Sequence, residues 1–121
     1  MSEYPYVSSI EDLLGETLTH AHQPATDEII FRSKKYEFKM FHQQDCCEHV
    51  YVEDINGDLS DLIGAPITIS MERTNRDNNG DESQTWTFYD IATIKGWVTI
   101  RWHGSSNGYY SESVDMVKRE L

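Results

Sequence analysis

The stretch "QTWTFYDIATIKGWVTIRWHGSSNGYYSESVDMVK", residues 84–118, decides the fold. It divides into extended runs at 84–94, 96–103 and 108–118 with short breaks between them. In 97–103, Val98, Ile100 and Trp102 fall on one face, and Trp97, Thr99, Arg101 and His103 on the other. That period of two marks a strand with one face in a core.

The same pattern extends toward the N-terminus. "DEIIFR" (27–32) and "YEFKMFHQ" (36–43) read as a hairpin around Ser33 to Lys35, with Tyr36, Phe38 and Met40 together on one face. "EHVYVEDI" (48–55) puts Val50 and Val52 on a shared face, and "PITISMER" (66–73) does so for Ile67, Ile69 and Met71. Two short helices interrupt the strands. Ser9 caps "IEDLLG" with Gly15 as its stop, and Asp58 caps "DLSDLIG" with Gly64 as its stop. "TNRDNNGDES" (74–83) is polar and rich in turn formers, hence an exposed loop. Seven extended segments and two short helices leave no room for alternating βαβ crossovers. The expected class is α+β: a twisted antiparallel sheet of about seven strands with two short helices on one side, in a single domain over residues 1–121.

Composition bounds the function. Hydrophobic residues make up 38% and aromatics 12%, too apolar for a disordered chain. No run of about 18 apolar residues occurs, so no transmembrane segment is expected. The opening "MSEYPYVSSIEDLLGETL" lacks the basic and apolar regions of a signal peptide, which makes the cytoplasm the expected compartment. The formal charge of −11 argues against a general DNA or RNA binder, which would carry a basic footprint. It fits high solubility, and it also fits a surface that imitates nucleic acid toward a basic host protein.

The polar face of 97–103 carries the candidate site. It sets an arginine beside a tryptophan and a histidine, and the turn from Gly104 to Gly108 follows with accessible backbone N–H groups. Such a turn can form an anion-binding nest, an arginine adds a bidentate phosphate contact, and a ring offers a stacking platform for a base. The expected ligand residues are Trp97, Arg101, His103, Ser105, Ser106, Asn107, Gly108 and Tyr109. The competing reading is an ordinary hairpin loop whose Tyr109 and Tyr110 anchor the sheet edge.

Other motifs carry less. His42, Cys46, Cys47 and His49 are ligand types, but their spacing matches no zinc pattern, so no metal is expected. Adjacent side chains on a strand point to opposite faces, so Cys46 and Cys47 are expected to be reduced thiols rather than a disulfide. A Cys–His nucleophile has no partner selected by the sequence. "EDINGD" (53–58) fails the EF-hand register, because Gly57 is fourth from Asp54 and the twelfth position is Ala65. No cofactor and no catalytic residue is expected.

"HQQDCCEHVYVEDINGDLSDLIGAPI" together with "TWTFYDIATIKGWVTIRWHGSSNGYYSESV" resembles small proteins of tailed phages and prophages, over residues 36–116, with "QDCCE" and "SNGYYSESV" the distinctive strings. The inferred inventory of strands and helices is also similar to the phage Thoeris anti-defence proteins of the sponge type. That resemblance implies capture, without hydrolysis, of a cyclic ADP-ribose isomer in a pocket at a dimer interface. It implies a small nucleotide ligand and a homodimer or larger homo-oligomer. The alternative is an acidic phage protein that binds and inhibits a host protein, with its carboxylates as the active surface.

Overall fold

The computed structural model describes residues 3–78 and 82–121, and alternation is what builds it. Among the described residues nine strands form: β1 (Tyr6–Val7), β2 (Leu18–Ala25), β3 (Glu28–Ser33), β4 (Tyr36–Phe41), β5 (His49–Asn56), β6 (Ile69–Asp77), β7 (Ser83–Thr93), β8 (Gly96–Ser106) and β9 (Asp115–Glu120). They form two antiparallel sheets. One has five strands in the order β1-β9-β4-β3-β2, the other four in the order β5-β8-β7-β6.

One apolar core joins the sheets. Phe31, Phe38 and Met40 come from the five-stranded sheet, and Tyr89, Ile91, Val98, Ile100 and Trp102 from the four-stranded one. Trp102 bridges them, its Nε1–H aimed at the Met40 sulfur at 3.2 Å. A buried indole needs a partner for that N–H, and a thioether is a weak but adequate acceptor. Among the described residues no helix is long and apolar enough to cross a membrane.

Several expectations need correction. The antiparallel strands are present, but they form two sheets, and the class is β rather than α+β. Both expected helices are single 3-10 turns, Ile10–Leu13 and Leu59–Leu62. Their caps and stops lie where the sequence places them. Asp58 accepts from the Ser60 N–H at 2.9 Å, and Gly15 and Gly64 take φ of +82° and +86°. Four residues between such stops close only i→i+3 bonds, as in Asp12 N–H to the Ser9 carbonyl at 3.0 Å. An α-helix needs more residues to repay its nucleus.

β2 went unread because only Leu18 of its eight residues is buried and Pro24 interrupts it. The run expected at 108–118 is a strand only from Asp115. The expected loop 74–83 is shorter, since β6 extends to Asp77 and β7 begins at Ser83; residues 79–81 lie outside the described residues.

The outer face of the five-stranded sheet is closed by charge. Glu37, only 4% exposed, meets Arg32, Arg119 (2.9 Å) and the Tyr4 hydroxyl (2.6 Å). Burial by itself raises the Glu37 pKa, but the Tyr4 hydrogen bond and the two guanidiniums outweigh it and hold the carboxyl below its ordinary value. Burial and the same carboxylate push the Tyr4 hydroxyl up to about 12.

Candidate ligand-binding face

The four-stranded sheet turns an unusual face outward. In β7, Thr85, Thr87, Tyr89 and Ile91 point inward, which sends Trp86 and Phe88 out. Register then assembles neighbours for them. Trp86 pairs with His103 of β8, and His103 pairs with Tyr51 of β5, so three strands each contribute one ring to a transverse row. Centroid separations are 5.1 Å for Trp86–His103 and 5.7 Å for Tyr51–His103, and His49 stacks on Tyr51 at 4.6 Å. These are normal contact distances for ring pairs. The next row pairs Phe88 with Arg101.

Between these rows lies a shallow groove of about 380 Å³, lined by Glu53, Asn75, Trp86, Phe88 and Arg101. The arginine that lines it is already paired, and so is Arg73 beside it. Arg101 Nε lies 2.8 Å from Glu53, a residue displaced by the irregularity between Val52 and Asp54. Arg73 sits over the Phe88 ring at 4.8 Å and grips Asp90 at 2.6 Å and 3.2 Å. That grip, with a further bond from Thr99, keeps the Asp90 carboxyl below its usual range despite its burial. His103 Nε2 lies 3.0 Å from Gln84 Oε1, which in this amide orientation makes Nε2 the donor. Nδ1 is then a buried acceptor with no hydrogen-bond partner among the described residues.

The eight residues expected to line one site divide. Trp97, Arg101, His103 and Ser105 do share the outward face of β8. Arg101 lines the groove and His103 sits in the ring row, whereas Trp97, 53% exposed, lies at the far end of the strand and bonds Asp90. Ser106 faces the opposite way and bonds the buried Glu112 carboxylate, which also accepts from Thr85 at 2.8 Å. Asn107 and Gly108 border a separate polar cavity of about 400 Å³ with Arg76, Ser83 and Glu112. Tyr109 is 88% exposed.

Two of the turn amides expected to hold an anion are occupied within the turn. The Gly108 N–H donates to Ser106 Oγ at 3.0 Å and the Tyr109 N–H to Asn107 Oδ1 at 3.1 Å. Gly104 belongs to β8 rather than to the turn. A Cβ there would lie 2.8 Å from the Glu112 Cβ, so the close approach of the 112 backbone requires glycine.

The thiol expectation also changes. Cys46 and Cys47 are joined, with their sulfurs 2.09 Å apart. The opposite-faces argument holds for strands, but these residues sit in a bend between β4 and β5. The bend is fixed by Glu48, whose carboxylate accepts from the Asp45 N–H (2.6 Å) and the Cys46 N–H (3.3 Å) and faces His42 Nε2 at 3.3 Å. The Asp45 backbone bond, together with those from His42 and Cys46, outweighs burial and lowers the Glu48 pKa. His42 Nδ1 bonds the Ser113 carbonyl at 2.7 Å, tying this bend to the segment before β9.

The sequence pattern does not place Trp86, Phe88 and Tyr51 at the candidate site, and it offers His49 only as a metal-ligand type. One signal was available in "QTWTFYD": threonines alternate with large rings there, and the rings take the side opposite Tyr89 and Ile91.

Fold and face together describe a two-sheet antiparallel β protein with a ring-lined open surface on its four-stranded sheet. A family model described as a domain of unknown function (DUF7448) matches residues 11–116, nearly the whole chain, and the protein belongs to that family. No curated protein and no solved structure matches the chain significantly.

Proposed function

We propose that this protein is a non-catalytic binding protein that captures a cyclic nucleotide of the cyclic ADP-ribose isomer type and so removes it from an immune signalling pathway. The observation that carries the reading is the outward ring row of Trp86, His103 and Tyr51 beside the groove at Phe88 and Arg101. A base stacks on Trp86, with the His103 ring at its side. A phosphate reaches Arg101 by displacing Glu53, which leaves the overall charge of the pair unchanged. The likeness of the "QDCCE" and "SNGYYSESV" strings to phage proteins supports a setting in the cytoplasm of a phage host.

The test is calorimetric titration of the folded protein with a cyclic ADP-ribose isomer and with cyclic oligonucleotides, followed by recovery of the ligand. Saturable binding with the ligand returned intact supports sequestration. Absence of binding to every probe removes the nucleotide reading, and a cleaved product replaces it with an enzyme.

The charge of −11 favours a second reading, an acidic protein that occupies the basic surface of a host protein. Salt distinguishes the two. Capture of such a partner weakens steeply between 50 and 300 mM salt, on the order of the screening expected when the Debye length falls below about 10 Å.

A further inference from the structure

Four strands border the two sheets, and three of those borders are blunted. β1 is two residues long. β2 contains Pro24 and shifts register twice against β3. β5 shifts register at Glu53, and its Val52 N–H is taken by the Thr26 carbonyl at 2.7 Å. Short length, proline, bulges and covering loops are the usual means of keeping a sheet edge from pairing with another chain. Among the described residues β6 has no proline and no register shift: it matches β7 residue for residue from Ile69–Ala92 to Asp77–Gln84, and past Ile67, which pairs with Gly15 and Glu16, no strand lies along its other side.

We propose that β6 is a homodimer interface, at which a second copy of this chain extends the four-stranded sheet by antiparallel pairing about a two-fold axis through Thr74. Side-chain faces are preserved across such an axis, so only residue-centred registers are allowed. Centring on Glu72 or on Arg73 sets like charges directly opposite each other, which is unfavourable. Centring on Asn75 shortens the overlap and uses Arg73, already held by Asp90. Centring on Thr74 places Glu72 opposite the partner's Arg76 and Arg76 opposite the partner's Glu72. The cation this needs is available. Arg32, Arg73, Arg101 and Arg119 each pair with a carboxylate, and Arg76 has no ion-pair partner among the described residues. The product is one continuous eight-stranded sheet that carries both ring-lined grooves on the same side, since Asn75 borders the groove from this edge strand.

This interface does not depend on any ligand and is tested without one. Light scattering at tens of micromolar should show a dimer for the natural sequence. Arg76→Glu should weaken it ten-fold or more, and adding Glu72→Arg to that variant should restore it. Thr74→Cys places two thiols across the axis, about 5 Å apart at Cβ, so mild oxidation should give a covalent dimer, whereas Met71→Cys should not. A monomeric natural protein overturns the proposal. So does a dimer that tolerates Arg76→Glu and gives no crosslink at residue 74. Should the double charge variant fail to fold, because Glu72 also bonds Tyr89, the crosslink alone decides. A dimer that crosslinks at Trp86→Cys instead assigns the interface to the ring-lined face and overturns pairing at β6.

Discussion

Trp86 and His103 lie directly opposite each other on β7 and β8, with ring centroids 5.1 Å apart, on the side of the sheet away from the core. Neither ring is buried, yet each is held by a strand whose alternate residues are. A ring fixed from behind presents a flat surface at small entropic cost to a ligand that stacks on it. Trp86→Ala is therefore expected to lower affinity for a stacking nucleotide about ten- to hundred-fold, from roughly 1–3 kcal/mol of base–aromatic contact. Trp97→Ala is the control, and calorimetric titration should find it close to the natural protein.

Arg101 and Glu53 form an ion pair at the groove, the one a phosphate would have to enter on the proposed reading. Removing the carboxylate leaves the guanidinium unpaired, so Glu53→Gln should raise affinity for an anionic ligand while leaving a neutral nucleoside unaffected. Arg101→Ala should cost the anionic ligand roughly 1.5–3 kcal/mol, the range for a charge-assisted hydrogen bond. Parallel titrations with a nucleoside and its phosphate separate the two effects; equal responses to both probes would place the phosphate elsewhere.

Acid stability is expected to centre on Glu37. Its folded pKa is depressed, by Tyr4 and two arginines acting against burial. A carboxylate of that kind contributes stability that is complete above its unfolded pKa, about 4.3, and is lost as pH falls through the lower folded value. Urea unfolding of the natural protein should therefore weaken steadily below about pH 4.5. Glu37→Gln should be less stable at neutral pH by roughly 1–3 kcal/mol, and its stability should fall less between pH 5 and 3. A variant with an unchanged acid slope would show that other carboxylates govern the transition.

The bend at Cys46–Cys47 is held by Glu48 as well as by the disulfide. Cys46→Ser with Cys47→Ser is expected to keep the fold and ligand binding, because Glu48 still takes the Asp45 and residue 46 amides. Glu48→Ala removes both bonds and the His42 contact together and should be the more damaging change by thermal melting. The opposite ranking would make the sulfur link the principal restraint.

How much of this was readable from residue order depends on the distance between partners. The faces of β8 follow from "GWVTIRWH" alone, so Arg101 and His103 were assigned correctly to an outward surface. Their ring neighbours were not, because Tyr51 reaches His103 only through a pairing of β5 with β8 across some fifty residues. β2 carries too few buried residues to show alternation. The 3-10 turns present the caps and stops of α-helices, and the length between those signals decides which forms. Ser106 was assigned to the anion site by proximity in sequence, yet strand geometry sends it to the other face, where it serves Glu112.

β8 alternates strictly between residues that hold the two sheets together and residues that face outward. Val98, Ile100 and Trp102 answer to the core, whereas Thr99, Arg101 and His103 do not. Selection can therefore rewrite the outward letters without touching those that make the chain fold. Within this family, outward positions of β7 and β8 are expected to vary more than the buried positions between them. Aligned relatives should show substitutions alternating with a period of two along both strands, and a deep mutational scan should give the same striped record in one protein.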